Sequence, residues 1–271
     1  MSALVRLGIR VHGDQAETAL AALLDLLPGG LEERALGDDV EFATYAEPGA
    51  LPEPAVLQAR LGGAFAGLTR APVPEDWARR WHRHLGPVTV ADGRRSLTIR
   101  PPWVPGGSED LVVNPDVLFG AGTHPTTRLV LRLLLGEAPG GALCDWGAGT
   151  GVLAVAAARL GWAPVIALEL DVAAVAVVEE NAAVNGVAIE ARAADLTAVA
   201  APWAPTVCAN LFAPLLTRLA TAVERPPERL LLSGVLVAEA DAVAAAWAGR
   251  GLREARRIED EGWAAILLVA P

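Results

Sequence analysis

One stretch of the chain constrains the fold more than any other: Cys144-Asp145-Trp146-Gly147-Ala148-Gly149-Thr150-Gly151. It lies between a short apolar run and an Ala- and Leu-rich segment that is typical of a helix. Three alternate glycines let the backbone turn sharply and come close to a ligand, and the following helix directs its first free N–H groups to the same place. Glu169 follows about 20 residues later, the distance expected across one βαβ unit. The stretch therefore predicts a loop that holds a nucleotide-type cofactor.

The spacing of these glycines favours one cofactor over another. Dinucleotide folds prefer G-x-G-x-x-G and place a pyrophosphate at the helix N-terminus, whereas here the third glycine comes one residue early and Asp145 precedes the loop. A carboxylate repels pyrophosphate but attracts the ammonium of an amino acid, which favours S-adenosylmethionine over a nicotinamide cofactor. We expect Gly147 and Gly149 to approach it, Glu169 to accept hydrogen bonds from both ribose hydroxyls, and Asp195 to meet the adenine amino group. A glycine-rich turn without a ligand is the alternative.

Length and composition bound the class of protein. The chain has 271 residues, 53% of them hydrophobic and 20% charged, enough for a sizeable core in one large or two modest domains. We expect no membrane span, because no apolar run of about 18 residues is free of charges or breaks, and no signal peptide. Both cysteines, Cys144 and Cys208, fall in predicted buried strands. We therefore expect reduced thiols, no metal site and a cytoplasmic location.

The charge is acidic and unevenly distributed. A net charge of -10 argues against direct nucleic-acid binding, since phosphate binding relies on positive charge. Residues 1–65 carry 4 Arg against 10 acidic residues, a net charge of -6. Such a region would suit a basic partner. An acidic surface that only keeps the protein soluble would explain the charge equally well.

The order of predicted elements divides the chain into three parts. Residues 1–70 predict a βαββαβ order, which suggests a small ferredoxin-like domain that recognises the substrate. Residues 71–87 form a connector, in which Trp77 and Trp81 are four residues apart and share one helical face. These tryptophans either pack the helix down or help to position the two domains.

Residues 88–271 predict a larger α/β domain. A hairpin at Asp92-Gly93 comes first, and strands then alternate with helices, which implies a mainly parallel sheet with helices on both faces. Two final strands around Glu261-Gly262 close the sheet as a hairpin, giving seven strands in all. Ligands of such sheets bind beyond the carboxyl ends of the strands. Gly147, Glu169, Asp195 and Asn210 all follow such ends.

Two further loops would complete the site. In Phe119-Gly120-Ala121-Gly122-Thr123-His124-Pro125-Thr126-Thr127, Pro125 suits the first helical position. We expect the hydroxyls of Thr126 and Thr127 to bind the methionyl carboxylate, Phe119 to cover the cofactor, and His124 to cap the helix rather than act as a base. The side-chain carbonyl of Asn210 can accept a hydrogen bond from an attacking amine and aim the nitrogen lone pair at the sulfonium methyl.

With these motifs in place, the chain resembles the PrmA family, the methyltransferases of ribosomal protein L11. The resemblance covers about residues 75–271 and rests on F-G-A-G-T-H-P-T-T (119–127), D-W-G-A-G-T-G (145–151), A-N-L-F-A-P-L (209–215) and Leu232-Ser233-Gly234-Val235-Leu236. By match to the motifs, the family's cofactor contacts fall on Thr127, Gly147, Glu169 and Asn210. The family usually has Asp at the position of Glu169, and a small or aliphatic residue at that of Trp146.

The resemblance implies a class I, Rossmann-like methyltransferase that trimethylates lysine ε-amines and the α-amine of ribosomal protein L11, with an N-terminal domain that grips this protein. We expect a monomer without a dedicated general base, with Asn210 as the catalytic residue. Two alternatives stay open. One is a class I methyltransferase of another protein, an RNA or a small-molecule amine. The other is a ribosome-associated binder that lost turnover.

Overall fold

The computed structural model describes residues 5–24, 26–27, 31–46, 48–73, 85–115, 122–198 and 202–271. They form two compact units, one ending before residue 85 and the other beginning at Leu85. The predicted tryptophan pair, Trp77 and Trp81, lies outside the described residues, and so does Phe119. No helix among the described residues is long and apolar enough to cross a membrane.

The first unit has the predicted βαββαβ order. Its strands pair antiparallel in the order β2-β3-β1-β4, the arrangement of a ferredoxin-like fold. Strand β1 is central because Leu7, Ile9 and Val11 are buried on one face, where they pack with α1 and α2. The elements are β1 Val5–His12, α1 Ala16–Leu24, β2 Glu32–Leu36, β3 Asp39–Ala46, α2 Pro54–Leu61 and β4 Phe65–Pro72.

The second unit begins with a small three-stranded sheet. The predicted hairpin joins β5 (Val88–Ala91) to β6 (Ser96–Arg100), and the carboxylate of Asp92 accepts hydrogen bonds from the backbone N–H groups of the turn. Strand β7 (Leu111–Val112) pairs parallel with β6 and was not predicted. Two residues are too few to show the alternation that predicts a strand.

The main sheet has seven strands in the order β10-β9-β8-β11-β12-β14-β13. The first five are parallel, and the terminal hairpin adds two antiparallel strands, which confirms the predicted architecture. The apolar last strand lies inside the sheet and the charged strand before it forms the edge, which protects that edge from further pairing. The strands are β8 Leu143–Trp146, β9 Val165–Glu169, β10 Glu190–Ala193, β11 Thr206–Asn210, β12 Arg229–Leu236, β13 Arg253–Asp260 and β14 Trp263–Val269.

Helices cover both faces of this sheet, as predicted. One face packs against α3 (Pro125–Gly136), α4 (Val152–Leu160) and α5 (Val172–Val184). The other packs against α6 (Ala213–Ala222) and α7 (Ala240–Ala248). Residues 152–157 are all buried, because Ala and Val side chains let α4 lie close to the strands.

The register of the parallel strands brings the candidate site residues to one edge. Trp146 pairs with Leu168 on one side and with Ala209 on the other. The residues that follow these positions, Gly147, Glu169 and Asn210, therefore leave the sheet next to each other. This is the edge at which open α/β sheets bind ligands.

Candidate active site

The glycine loop after β8 has a backbone that only glycine adopts readily. The φ angles of Gly147, Gly149 and Gly151 are 73°, 54° and 77°, all in the left-handed region. The N–H groups of Gly147 and Ala148 both donate to the carbonyl of Leu168, at 2.9 and 3.0 Å. A Cβ atom on Gly147 would lie 2.4 Å from Cδ2 of Leu211. The loop is therefore fixed to β9 and packed closely against the residue that follows Asn210.

Glu169 holds this loop through its carboxylate. Oε2 accepts a hydrogen bond of 2.8 Å from the N–H of Gly149. Oε1 accepts from the N–H groups of Leu170 and Asp171, at 2.7 and 3.3 Å. Both oxygens keep further lone-pair capacity, because an ionised carboxylate accepts about four hydrogen bonds. The predicted bonds to ribose hydroxyls stay a prediction, and the structure adds a second role in shaping the loop.

Asp145 lies beneath the loop and is fully buried. Its Oδ2 accepts a hydrogen bond of 3.1 Å from the N–H of Ala154, in the first turn of α4. Its Oδ1 is buried without a hydrogen-bond partner among the described residues. Burial raises the pKa of this carboxyl to about 7, opposed by the bond from Ala154 and helped by the charge of Glu169. A buried acceptor without a partner fits the ammonium group of an amino-acid tail.

Asn210 is held by two threonines from the start of α3. Its Nδ2 lies 3.2 Å from Oγ1 of Thr126 and 3.4 Å from Oγ1 of Thr127, and both hydroxyls are buried. The predicted contact of these hydroxyls with a ligand carboxylate stays a prediction. What the structure adds is that they orient the amide of Asn210.

His124 is the N-cap of α3, which confirms its predicted role. Its side chain accepts the N–H of Thr126 at the helix start. Its ring packs edge-on against Trp263, with centroids 5.2 Å apart. The pKa of His124 is lowered by burial and by the charge of Arg128, while Glu261 opposes the shift.

Asp195 is exposed at the same edge of the sheet. The preceding residue, Ala194, donates its N–H to the carbonyl of Glu169 at 2.8 Å. The Asp195 carboxylate accepts from the hydroxyl and the N–H of Thr197, and these bonds lower its pKa. The residue is thus ionised beside Glu169, and its contact with adenine stays a prediction.

Comparison with known proteins agrees with this geometry. The family model described as ribosomal protein L11 methyltransferase (PrmA) matches residues 65–270. The chain belongs to the PrmA family. A ribosomal protein L11 methyltransferase of Geobacter metallireducens is 38% identical, over 72% of this chain and 67% of the relative. One of Bordetella parapertussis is 33% identical, over 93% of this chain and 95% of the relative.

A solved structure supports the fold separately. The ribosomal protein L11 methylase of Lactobacillus delbrueckii subsp. bulgaricus superposes with a TM-score of 0.59 at 23% identity, over 67% of this chain and 97% of that one. Membership of the PrmA family confirms the predicted enzyme class, a methyltransferase, and S-adenosylmethionine as its methyl donor. Oδ1 of Asp145, which has no hydrogen-bond partner in the described part of the chain, and the glycine cradle fit this donor.

Trp146, at a position where the resemblance implies a small or aliphatic residue, packs into the core and not into the glycine loop. Its side chain is 2% exposed and belongs to the core on the α6 and α7 face. Its ring lies 6.3 Å from that of Trp247. Cys144 and Cys208 are buried and free, as predicted, and burial raises the pKa of the Cys144 thiol to about 12.

A pair of asparagines, Asn181 within α5 and Asn185 at its C-cap, was not predicted. The side chain of Asn181 donates to the carbonyls of Thr150 and Asn114, at 2.8 and 3.1 Å, and accepts the N–H of Asn114 at 2.8 Å. Asn185 binds both backbone groups of Val112 in the same way. Asn181 therefore joins the glycine loop to the segment that leads toward loop 119–127. Two asparagines four residues apart on one helical face were the available signal.

Proposed function

We propose that this protein transfers methyl groups from S-adenosylmethionine to amines of ribosomal protein L11, both lysine ε-amines and the N-terminal α-amine, up to trimethylation. The observation that carries the proposal is membership of a family whose relatives are named for this substrate. The orientation of Asn210 by Thr126 and Thr127 supports an amine as the acceptor.

The proposed site works mainly by alignment. When bound, S-adenosylmethionine supplies an electrophilic methyl group on a sulfonium. Methyl transfer to an amine is an in-line displacement, so the position of the nitrogen decides the rate. With Nδ2 of Asn210 directed to the two threonines, its Oδ1 accepts a hydrogen bond from the primary or monomethylated amine and orients the lone pair. The dimethylated amine carries no N–H, so the third transfer proceeds without this bond. Gly147 and Gly149 admit the donor closely, and Asp145 holds its ammonium group.

The amine has to arrive without its proton. Free lysine has a pKa of about 10.4, and a nearby positive charge together with desolvation lowers it. The proposed mechanism therefore assigns no general base to the chain. The proton leaves the amine for solvent before Asn210 receives the neutral nitrogen.

The remaining parts of the proposal concern the partner. We propose that the first unit, whose residues 1–65 carry a net charge of -6, binds the basic surface of the substrate protein. We also propose that the enzyme acts as a cytoplasmic monomer and does not bind nucleic acid directly, in keeping with its net charge of -10.

Methyl transfer to purified large-subunit proteins tests the proposal. With labelled S-adenosylmethionine, the wild type should label ribosomal protein L11 alone. Asn210→Ala should lower the rate roughly 100-fold, since a misplaced nucleophile costs about that much. Thr217→Ala, at an exposed position of α6, is the matched control. Nuclease-sensitive labelling, or cofactor binding without any product, would reject the proposed substrate.

A further inference from the structure

We infer that His124 is a positioning residue for the amine site: through the hydroxyl of Thr126, its unprotonated Nδ1 sets which way the amide of Asn210 faces. The inference rests on the proposed function, because it concerns the atom that Asn210 presents to the amine. It assigns to the N-cap of α3 a part in the reaction beyond helix capping.

The first hydrogen bond in the series comes from a backbone N–H group, which can donate but cannot accept. The backbone N–H of Thr126 lies 3.3 Å from Nδ1 of His124. An amide N–H only donates, so Nδ1 has to be an acceptor and the ring proton sits on Nε2. Since Pro125 has no N–H, that of Thr126 is the first donor of α3 that needs a partner. The helix start therefore selects the tautomer of the ring.

The tautomer of His124 then orients the hydroxyl of Thr126. Oγ1 of Thr126 lies 2.8 Å from the same Nδ1. Nδ1 shares its one lone pair between the N–H and the hydroxyl hydrogen of Thr126, so the oxygen of Thr126 keeps only lone pairs for other partners. The predicted bond to a ligand carboxylate is then left to the hydroxyl of Thr127. The side chain of Asn210 that faces this oxygen therefore has to present a donor.

The amide of Asn210 satisfies this requirement with its Nδ2, at 3.2 Å from Thr126. A second contact of 3.4 Å from Nδ2 to Oγ1 of Thr127 reinforces the same orientation. Once Nδ2 is directed to the threonines, Oδ1 is directed away from them. The contacts that run from the N–H of Thr126 to Nδ1 of His124, from there to Oγ1 of Thr126, and on to Nδ2 of Asn210 thus determine the orientation of the amide. Asn210 therefore offers an acceptor, rather than a donor, to the amine.

Charged groups around His124 keep the chain of bonds in this direction at neutral pH. Arg128, from the first turns of α3, lies on one side and is paired with Asp260 and Glu261 at 3.2 and 2.8 Å. Trp263 of β14 covers one edge of the ring. Burial and Arg128 lower the pKa of His124 and Glu261 raises it, with a net lowering. The shift therefore favours the neutral ring, in which Nδ1 is free to accept.

Protonation would reverse the chain of bonds. A protonated Nδ1 is a donor, so it no longer accepts the N–H of Thr126, and the hydroxyl of Thr126 turns to donate toward Asn210. Oδ1 of Asn210 would then face the threonine, and the amine would meet an NH2 group. Turnover should therefore fall below the pKa of His124, in addition to the gradual loss from protonation of the amine.

Nitrogen NMR of the cofactor-free protein tests the inference without using activity. The chain has 4 histidines, and His124→Asn, which keeps an N-cap acceptor that does not titrate, identifies the signal of His124. We expect its ring to carry the proton on Nε2 and to titrate below the ordinary pKa of a free imidazole. A proton on Nδ1 at neutral pH would overturn the inference, whatever the enzyme methylates.

Kinetics separate positioning from mere capping. Thr126→Val should lower kcat roughly 10- to 100-fold, and Thr126→Ser, which restores the hydroxyl, should recover most of the loss. His124→Asn should lack the acid-side fall in kcat that the wild type shows. Equal acid profiles for the wild type and His124→Asn would refute the positioning role. Failure of the wild type to methylate ribosomal protein L11 would instead refute the proposed function and leave the NMR result standing.

Discussion

Oε2 of Glu169 accepts a hydrogen bond of 2.8 Å from the N–H of Gly149, so the acidic residue expected to hold the ribose also holds the glycine loop. The two elements come from different strands, β9 and the end of β8. One side chain thus links the shape of the cradle to the group that binds the sugar. A change at Glu169 should therefore affect both.

Glu169→Gln should weaken cofactor binding by more than the loss of one ribose contact alone would. The amide nitrogen cannot accept a bond, so either Gly149 or Leu170 loses its acceptor, at a cost of about 1–3 kcal/mol. We expect the Kd for S-adenosylmethionine to rise at least tenfold in calorimetry, and amide exchange in the loop to accelerate. Glu180→Gln, exposed on α5, is the control. Unchanged exchange in the loop would argue against the second role of Glu169.

Gly147→Ala should weaken cofactor binding, because φ is 73° and the new Cβ would lie 2.4 Å from Cδ2 of Leu211, which then has to shift within the cradle. Gly186→Ala is a control for backbone strain: φ is 63°, and no atom of the described residues lies within 4 Å of where its Cβ would be. Strain alone costs roughly 1–2 kcal/mol, so the control should lose thermal stability and keep its affinity. Equal affinity losses in the two variants would mean that general destabilisation, and not a local change at the cradle, lowers the affinity.

Asp145 makes cofactor binding depend on pH. Its pKa is raised to about 7 in the free protein, and a bound ammonium favours the ionised form, so binding releases a proton. Affinity for S-adenosylmethionine should rise roughly tenfold between about pH 5.5 and pH 7, below the range in which the α-amino group itself loses its proton. Asp145→Asn should remove this dependence. Methylthioadenosine, which lacks the amino-acid tail, should not show the rise in the wild type.

The stability of the cofactor-free protein should change with pH in the opposite direction to the cofactor affinity. The folded pKa of Asp145 lies above the unfolded value, so the folded carboxyl keeps its proton while the unfolded one ionises. Stability that is present below about pH 4 is therefore lost as the pH rises toward 7, by on the order of 4 kcal/mol. Thermal melts of the wild type and Asp145→Asn should diverge over this range. Parallel melting curves would contradict the raised pKa.

Asn181 and Asn185 provide a matched pair of substitutions that test the link between the glycine loop and segment 112–114. Asn181→Leu removes partners from Thr150 and from Asn114, whereas Asn185→Leu removes partners from Val112 and from Asn181. Each should lower stability by about 1–3 kcal/mol or more. Only Asn181→Leu should expose the N–H of Asn114 to exchange and weaken cofactor binding. If both variants lower the affinity equally, Asn181 does not couple the loops.

The sequence predicts those features best in which the local backbone conformation requires a particular residue type. The glycines after β8 and the cap at His124 are of this kind, because positive φ angles and an unpaired helix N–H are local requirements. The order of strands along the chain was equally accessible, since it follows from alternating apolar segments.

Features that depend on three-dimensional neighbours were not accessible. Trp146 alternates along β8 like its neighbours, and only the packing of α7 shows that it meets Trp247. The bonds of Asn181 join segments 31 and 67 residues away in the chain. The burial of Thr126 depends on where β11 places Asn210 beside α3. In each case the partner is set by the packing of elements that are distant in the chain, which a single sequence does not specify.

The intact mass of ribosomal protein L11, purified from cells with and without this gene, tests the central claim most directly. The account predicts that the protein from wild-type cells is heavier by a whole number of methyl groups. It also predicts that a gene encoding Asn210→Ala fails to restore this difference. Identical masses, from cells in which the enzyme is present and binds S-adenosylmethionine, would contradict it.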